Sequence, residues 1–183
     1  MKHVSIISLM LVAICGASCF AVDDTAEITR KVEQELPLMG QRNWIVIADA
    51  AYPWHSRAGV ETVLTNADHL SVLRAVLKTI GRTKHVRPNV YTTTELPIIS
   101  DADAAGIKAY RDELTKALEK RIITALPQEE LFTTVAKASE SVRVLVIKTK
   151  MTLPYTSVFL QLDSAYWSDD AERKLREGLK PAK

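Results

Sequence analysis

The residues Trp44-Ile45-Val46-Ile47-Ala48 form an unbroken apolar run rich in β-branched side chains. A run of this kind has no polar face to offer to water, so it suits a strand buried on both sides, as in a parallel or mixed sheet flanked by helices. Val142 to Ile147 reads as a second strongly buried strand, and Val90-Tyr91-Thr92-Thr93-Thr94 and Ser157 to Leu162 read as further strands. Between them lie helical patterns. Asp23 or Asp24 caps a helix with Ile28, Val32 and Leu36 on one face, and Pro37 ends it. Asp68 caps a second helix through Leu70, Leu73, Val76, Leu77 and Ile80, closed at Gly81. A third, capped by Asp101 or Asp103, turns Ile107, Tyr110, Leu114 and Leu118 inward. Arg121 to Ala125 is a short strand, Pro127 starts a helix, and Ser168 caps a charged C-terminal one. This alternation predicts a three-layer α/β/α domain with a mostly parallel or mixed central sheet.

The first residues need a different explanation. Met1, Lys2 and His3 precede a run from Val4 to Ile14 that is apolar except for Ser5 and Ser8, and the small residues Gly16, Ala17 and Ser18 follow. That order is a secretory signal, with cleavage expected after Ala21. The apolar run is shorter than the roughly 20 residues a membrane span needs, so no stable span is expected after cleavage. Gly16-Ala17-Ser18-Cys19 also loosely resembles a lipoprotein cleavage box, which makes lipidation at Cys19 a minor alternative. Cys15 and Cys19 are the chain's two cysteines, so the exported protein, periplasmic or secreted, is expected to be free of thiols and disulfides. Residues 22–183 remain as a single domain, long enough for one core. The 24 basic and 22 acidic residues alternate along the chain without a basic stripe or aromatic platform, which argues against nucleic acid and for a small molecule or protein partner.

In helix-flanked sheets, ligands collect beyond the carboxyl ends of the strands. Asp49 stands there, directly after the first buried strand. It reads either as a proton-transfer or hydroxyl-binding group or as a cap on the next turn. There is no Gly-x-Ser-x-Gly elbow, which disfavours a serine hydrolase of that design. Nor do the histidines stand at zinc-ligand spacing.

The segment Leu38-Met39-Gly40-Gln41-Arg42-Asn43, the buried strand, and Asp49-Ala50-Ala51-Tyr52-Pro53-Trp54-His55-Ser56 together resemble the signature of the RbsD/FucU family of ribose pyranases and fucose mutarotases. That signature runs approximately L-x-x-M-G-H-G-D, strand, D-A-x-x-P-x-H-S. Near the chain's end, Tyr155-Thr156-Ser157 stands where the family has Tyr-Gly-Asn. The resemblance implies a protein that interconverts cyclic forms of a free sugar, needs no metal or cofactor, and assembles as a ring-shaped homo-oligomer. Opening a hemiacetal takes one proton from the anomeric hydroxyl and delivers one to the ring oxygen, which positioned acid/base groups accomplish.

Carried over by position, the family's catalytic His falls on Gln41, its carboxylate on Asp49, its closing Tyr and Asn on Tyr155 and Ser157, and a further sugar-contacting residue near Gln128 or Glu129. Gln41 can orient a hydroxyl but has no pKa suited to proton transfer. His55 titrates in the useful range and is a candidate replacement base, or else a turn or interface residue. The expected set is therefore Asp49 and His55 as catalytic groups, with Gln41, Asp49, Tyr155, Ser157 and Gln128 binding a monosaccharide. A sugar-binding or structural protein that kept the scaffold without turnover is the competing expectation. His69 and His85 read as surface or helix-packing residues. Trp54 reads as a sugar-stacking or subunit-contact residue, Tyr166-Trp167 as a clasp for the last helix, and Lys148/Lys150 as a solvated strand end.

Overall fold

The computed structural model describes residues 24–119 and 121–179; the expected leader, with Cys15 and Cys19, lies outside the described residues. The helices are α1 (Asp24–Glu35), α2 (His69–Ile80), α3 (Ile107–Ala117), α4 (Gln128–Ala138) and α5 (Asp169–Gly178). The strands are β1 (Trp44–Ala48), β2 (Val60–Leu64), β3 (Val86–Thr93), β4 (Ile123–Leu126), β5 (Val144–Lys148) and β6 (Val158–Ser164). Among the described residues these strands make one sheet in the order β2-β5-β1-β6-β3-β4. β5 runs parallel to both β2 and β1, and β4 runs parallel to β3. β6 is antiparallel to both of its neighbours, β1 and β3. The sheet is therefore mixed, and one edge of it collects the carboxyl ends of five strands together with the amino end of β6.

The two faces of the sheet explain the apolar runs. Along β1, Ile45 and Ile47 enter the core beneath α1, α2 and α3, while Trp44, Val46 and Ala48 enter a second core containing Leu131 and Val135 of α4. Leu145 and Ile147 of β5 join the first core, and Val144 and Val146 the second. Every residue of β1 is buried, as a strand covered on both faces requires. Each fully buried Ile or Val of these strands contributes roughly 1.5–3 kcal/mol relative to exposure. α5 buries no residue and stands outside both cores.

The element boundaries follow local chemistry. Asp68 accepts the Ser71 amide at 2.9 Å and so caps α2, while Ser168 accepts the Ala171 amide and caps α5. α3 begins only at Ile107, later than the acidic caps suggest, because Gly106 turns the chain through a left-handed conformation (φ 90°). Asp101 still serves this helix by accepting the Lys108 amide at 2.9 Å. β3 starts four residues before the expected Val90 and runs through Pro88. Proline is tolerated there because β4 pairs with β3 only from Val90 onward. β4 begins at Ile123 rather than Arg121, and β2 is a strand the apolar pattern does not announce. β2 is a half-exposed edge strand, so its apolar side chains are too few to make a run.

Candidate functional site

Register places the chemistry. Ala48 is level with Lys148 of β5, and Ile47 with Val158 of β6, so Asp49 leaves the sheet beside the start of β6. The Asp49 backbone amide donates to Ser157 Oγ at 3.0 Å, and the same hydroxyl donates to Asp49 Oδ2 at 2.8 Å. The other carboxylate oxygen, Oδ1, accepts the Ala51 amide at 2.9 Å. Both readings of Asp49 thus find a physical counterpart: one oxygen caps the following turn, and the carboxylate also lines an open cavity. Its protein partners are neutral donors, and no cation among the described residues pairs with it.

That cavity is about 480 Å³, within the range of small-molecule sites. Its walls come from the β1 turn (Asp49 to Tyr52), from Gln128 and Phe132 on α4, and from the segment Met151 to Tyr155. Asp49, Gln128 and Tyr155 are therefore brought together, with Ser157 buried beneath Asp49. Tyr155 adopts a left-handed backbone, φ 60°, a conformation that costs a non-glycine residue about 1 kcal/mol or more. Three side chains hold this turn. Thr93 Oγ1 donates to the Tyr155 carbonyl at 3.1 Å, Tyr110 Oη to the Thr156 carbonyl at 3.0 Å, and Thr156 Oγ1 to the Leu153 carbonyl at 2.8 Å. The backbone of Gln128 is fixed from the opposite side, where its main-chain N–H donates to the Glu95 carboxylate at 3.0 Å.

Two histidines behave differently from each other. His55 does not line the cavity; its ring lies 5.7 Å from that of Tyr52, and its Nε2 is buried without a hydrogen-bond partner. Burial first, and then the Arg57 charge, lower its pKa. Tyr52 does line the cavity, with its hydroxyl buried and unpartnered, and burial reinforced by the Asp49 charge pushes its phenol above the ordinary range. His69, expected at a surface or in helix packing, is 1% exposed beneath the end of β1. Its Nε2 meets the Ile47 carbonyl at 3.3 Å and its Nδ1 meets Tyr110 Oη at 3.2 Å. A carbonyl only accepts, so the Ile47 contact requires the proton on Nε2, and the single Tyr110 hydroxyl proton is then shared between Nδ1 and the Thr156 carbonyl. Burial pushes the His69 pKa down to about 4, against the Ile47 hydrogen bond and the Asp49 and Asp68 charges. No sequence signal linked His69 to Tyr110, because they come from different helices 41 residues apart.

Gln41 is not brought to this cavity. It precedes β1, at the other end of the strand, where its Nε2 donates to Asp163 Oδ1 at 2.9 Å. Arg87 donates to Asp163 Oδ2 at 3.0 Å and also pairs with Asp169 at the start of α5. A polar cavity of about 450 Å³ opens there among Gln41, Arg42, Trp167 and Arg176. Among the described residues no group of three His, Cys, Asp or Glu side chains is placed to hold a metal ion. No helix among them is long and apolar enough to cross a membrane.

A three-layer domain with a carboxylate and hydrogen-bonding side chains around a cavity at the strand ends has the architecture in which α/β proteins place small-ligand sites. Within that architecture the particular assignment is clear. A model of the RbsD / FucU transport protein family matches residues 24–163, and the chain belongs to that family. The matched span stops before α5. Two solved structures share the fold. The structure of Bacillus subtilis RbsD complexed with D-ribose is 20% identical, with a TM-score of 0.51 over 73% of this chain and 91% of that one. The fucose mutarotase from Streptococcus pneumoniae in complex with L-fucose is also 20% identical, with a TM-score of 0.51 over 77% of this chain and 94% of that one. A search of curated protein sequences returns no match.

Proposed function

We propose that this protein binds a free monosaccharide in the cavity beside Asp49 and accelerates the interconversion of its cyclic forms. The observation that carries this reading is the buried Asp49 carboxylate, held only by neutral donors, in one cavity with Gln128 and Tyr155. The sugar complexes of the two structurally similar proteins support a ligand of this class. In the proposed step Asp49 takes the proton of the anomeric hydroxyl. The electrons of that O–H bond form the carbonyl as the bond from the anomeric carbon to the ring oxygen breaks, and a proton returns through water to the ring oxygen. Closure on either carbonyl face, or by another hydroxyl, gives the other cyclic form. Gln128 and Tyr155 orient the sugar hydroxyls, and Ser157 fixes the rotamer of Asp49. His55 does not line the cavity, so water is the better partner for Asp49.

A specific observation favours a second reading, binding without turnover. No histidine lines the cavity, and Gln41, at the family's catalytic position, is bonded to Asp163 at the far end of β1. Exchange NMR on ribose, fucose, galactose and glucose separates the two. Faster ring-form exchange that disappears in Asp49→Asn supports the enzyme. Saturable binding with unchanged exchange supports the binding protein, and absence of both sinks the sugar reading. The leader expected at residues 1–21 would put this site outside the cytoplasm, which the N-terminal sequence of the protein recovered from cell fractions tests.

A further inference from the structure

The cavity beside Asp49 has a neighbour. A second cavity of about 430 Å³ shares Ala50 and Thr152 with it, so the two adjoin across the turns that follow β1 and β5. Their chemistry differs. The first contains the carboxylate of Asp49 and otherwise neutral groups. The second is lined by Lys148 and Lys150, with Thr65 and Asn66 after the end of β2; none of its lining residues is acidic, and the Asp24 carboxylate accepts the Asn66 backbone amide at 2.8 Å. Among the described residues neither lysine takes part in an ion pair. Lys148 Nζ spends one proton on the Tyr52 carbonyl at 2.7 Å, and Tyr52 itself lines the first cavity. The Lys148 ammonium is thereby held at the junction with donors to spare, since it carries three. Lys150 is exposed.

A ligand spanning both cavities meets a negative end and a positive end. An anionic group would be repelled beside Asp49 and attracted beside the two ammonium groups, while a neutral anomeric hydroxyl is what a carboxylate base requires. We infer that the ligand is a monosaccharide with a negative charge remote from its anomeric carbon, a hexuronic acid or a sugar phosphate. Its ring sits beside Asp49 and its anionic group lies between Lys148 and Lys150. This rests on the sugar reading above and sharpens it, because the charge pattern also sets which end of the sugar reaches the base.

The test is a calorimetric titration of matched sugars: glucose, glucuronate and glucose 6-phosphate, with galactose and galacturonate as a second set. At least one anion is expected to bind about tenfold more tightly than its neutral parent, the factor one charge-assisted hydrogen bond supplies. Uronate and phosphate arms identify which anion the site takes. The preference is expected to shrink in roughly 0.5 M salt and to fall close to unity in Lys150→Gln, a surface substitution chosen because Lys148→Gln would also release the Tyr52 carbonyl. Neutral sugars binding as well as the anions, with binding lost in Asp49→Asn, overturns the charged-ligand inference and leaves the sugar site standing. An anion preference unchanged by Lys150→Gln overturns it as well. No binding by any of the five overturns the charged-ligand inference, while ribose and fucose titrated beside them decide the sugar reading separately.

Discussion

At the carboxyl end of β1, Asp49 is held by a serine hydroxyl and a backbone amide, with no cation among the described residues paired to it. At the amino end, Asp163 is gripped by Arg87 and Gln41, and Arg87 also takes Asp169. Burial raises the Asp163 carboxyl, but hydrogen bonds from Arg87, the Ser164 amide and Gln41 outweigh it and hold the group below the usual carboxylate range. One end thus leaves a carboxylate available to a ligand, while the other spends its carboxylates on the protein. A position carried over by resemblance does not by itself say which cavity a side chain faces. The resemblance puts the family's histidine at Gln41, yet the Gln41 amide donates to Asp163 and does not line the Asp49 cavity.

The largest expected effect separates the two ends directly. Asp49→Asn is expected to lower the ring-form exchange rate by about 10²-fold or more, the usual contribution of a general base. Gln41→Ala is expected to leave the rate within about twofold, since general acid–base groups carry the step and Gln41 is not one. Exchange NMR on both variants decides it. A loss in Gln41→Ala as large as in Asp49→Asn would break the comparison and show that the two ends meet between copies of the chain.

Acid stability distinguishes the ends next. The folded-state pKa of His69 lies near 4 and its unfolded value near 6.5, so between these values the unfolded chain binds the extra proton. Stability is complete above about pH 6.5 and falls by about 3 kcal/mol as the pH drops towards 4. Urea unfolding across this window is expected to show that slope, and His69→Gln is expected to flatten it. Asp163 acts in a lower window. Its folded pKa is depressed, so the contribution of the Arg87 pair is present above the unfolded carboxylate value and is lost as the pH falls through the folded one. Arg87→Ala is expected to cost about 0.5–1 kcal/mol at neutral pH, because the arginine is 40% exposed and solvent screens the pair. The smallest effect is Trp54→Ala, in the loop after the Asp49 turn. With the ring 79% exposed, a stability change under about 0.5 kcal/mol is expected from thermal unfolding.

Most of the fold was legible in the sequence because its signals are local. The β1 run, the Asp68 and Ser168 caps, and the inward stripe of α3 each report on a few neighbouring residues. β2 was missed because an edge strand has little apolar surface to advertise. The site was legible only in part. Asp49 follows a buried strand and was visible as such, and Gln128 and Tyr155 came from positional resemblance. The hydrogen bonds of His69 to Tyr110, and of Asp49 to Ser157, join residues 41 and 108 positions apart, and no pattern within a single element encodes them. The second cavity with its lysines was read as a solvated strand end, because the sequence does not show that β2 and β5 lie side by side.

The antiparallel placement of β6 also governs when this protein becomes whole. Before residues 158–164 are made, β2, β5 and β1 can pair with one another, as can β3 and β4, but no strand joins the two groups. Ser157 arrives in the same stretch, so the Asp49 partner and the keystone of the sheet are synthesised together. The ribosome must deliver nearly the entire domain before the central pairing can form. Contacts of such long sequence separation slow folding, and a chain cut before β6 is expected to leave the facing edges of β1 and β3 unpaired.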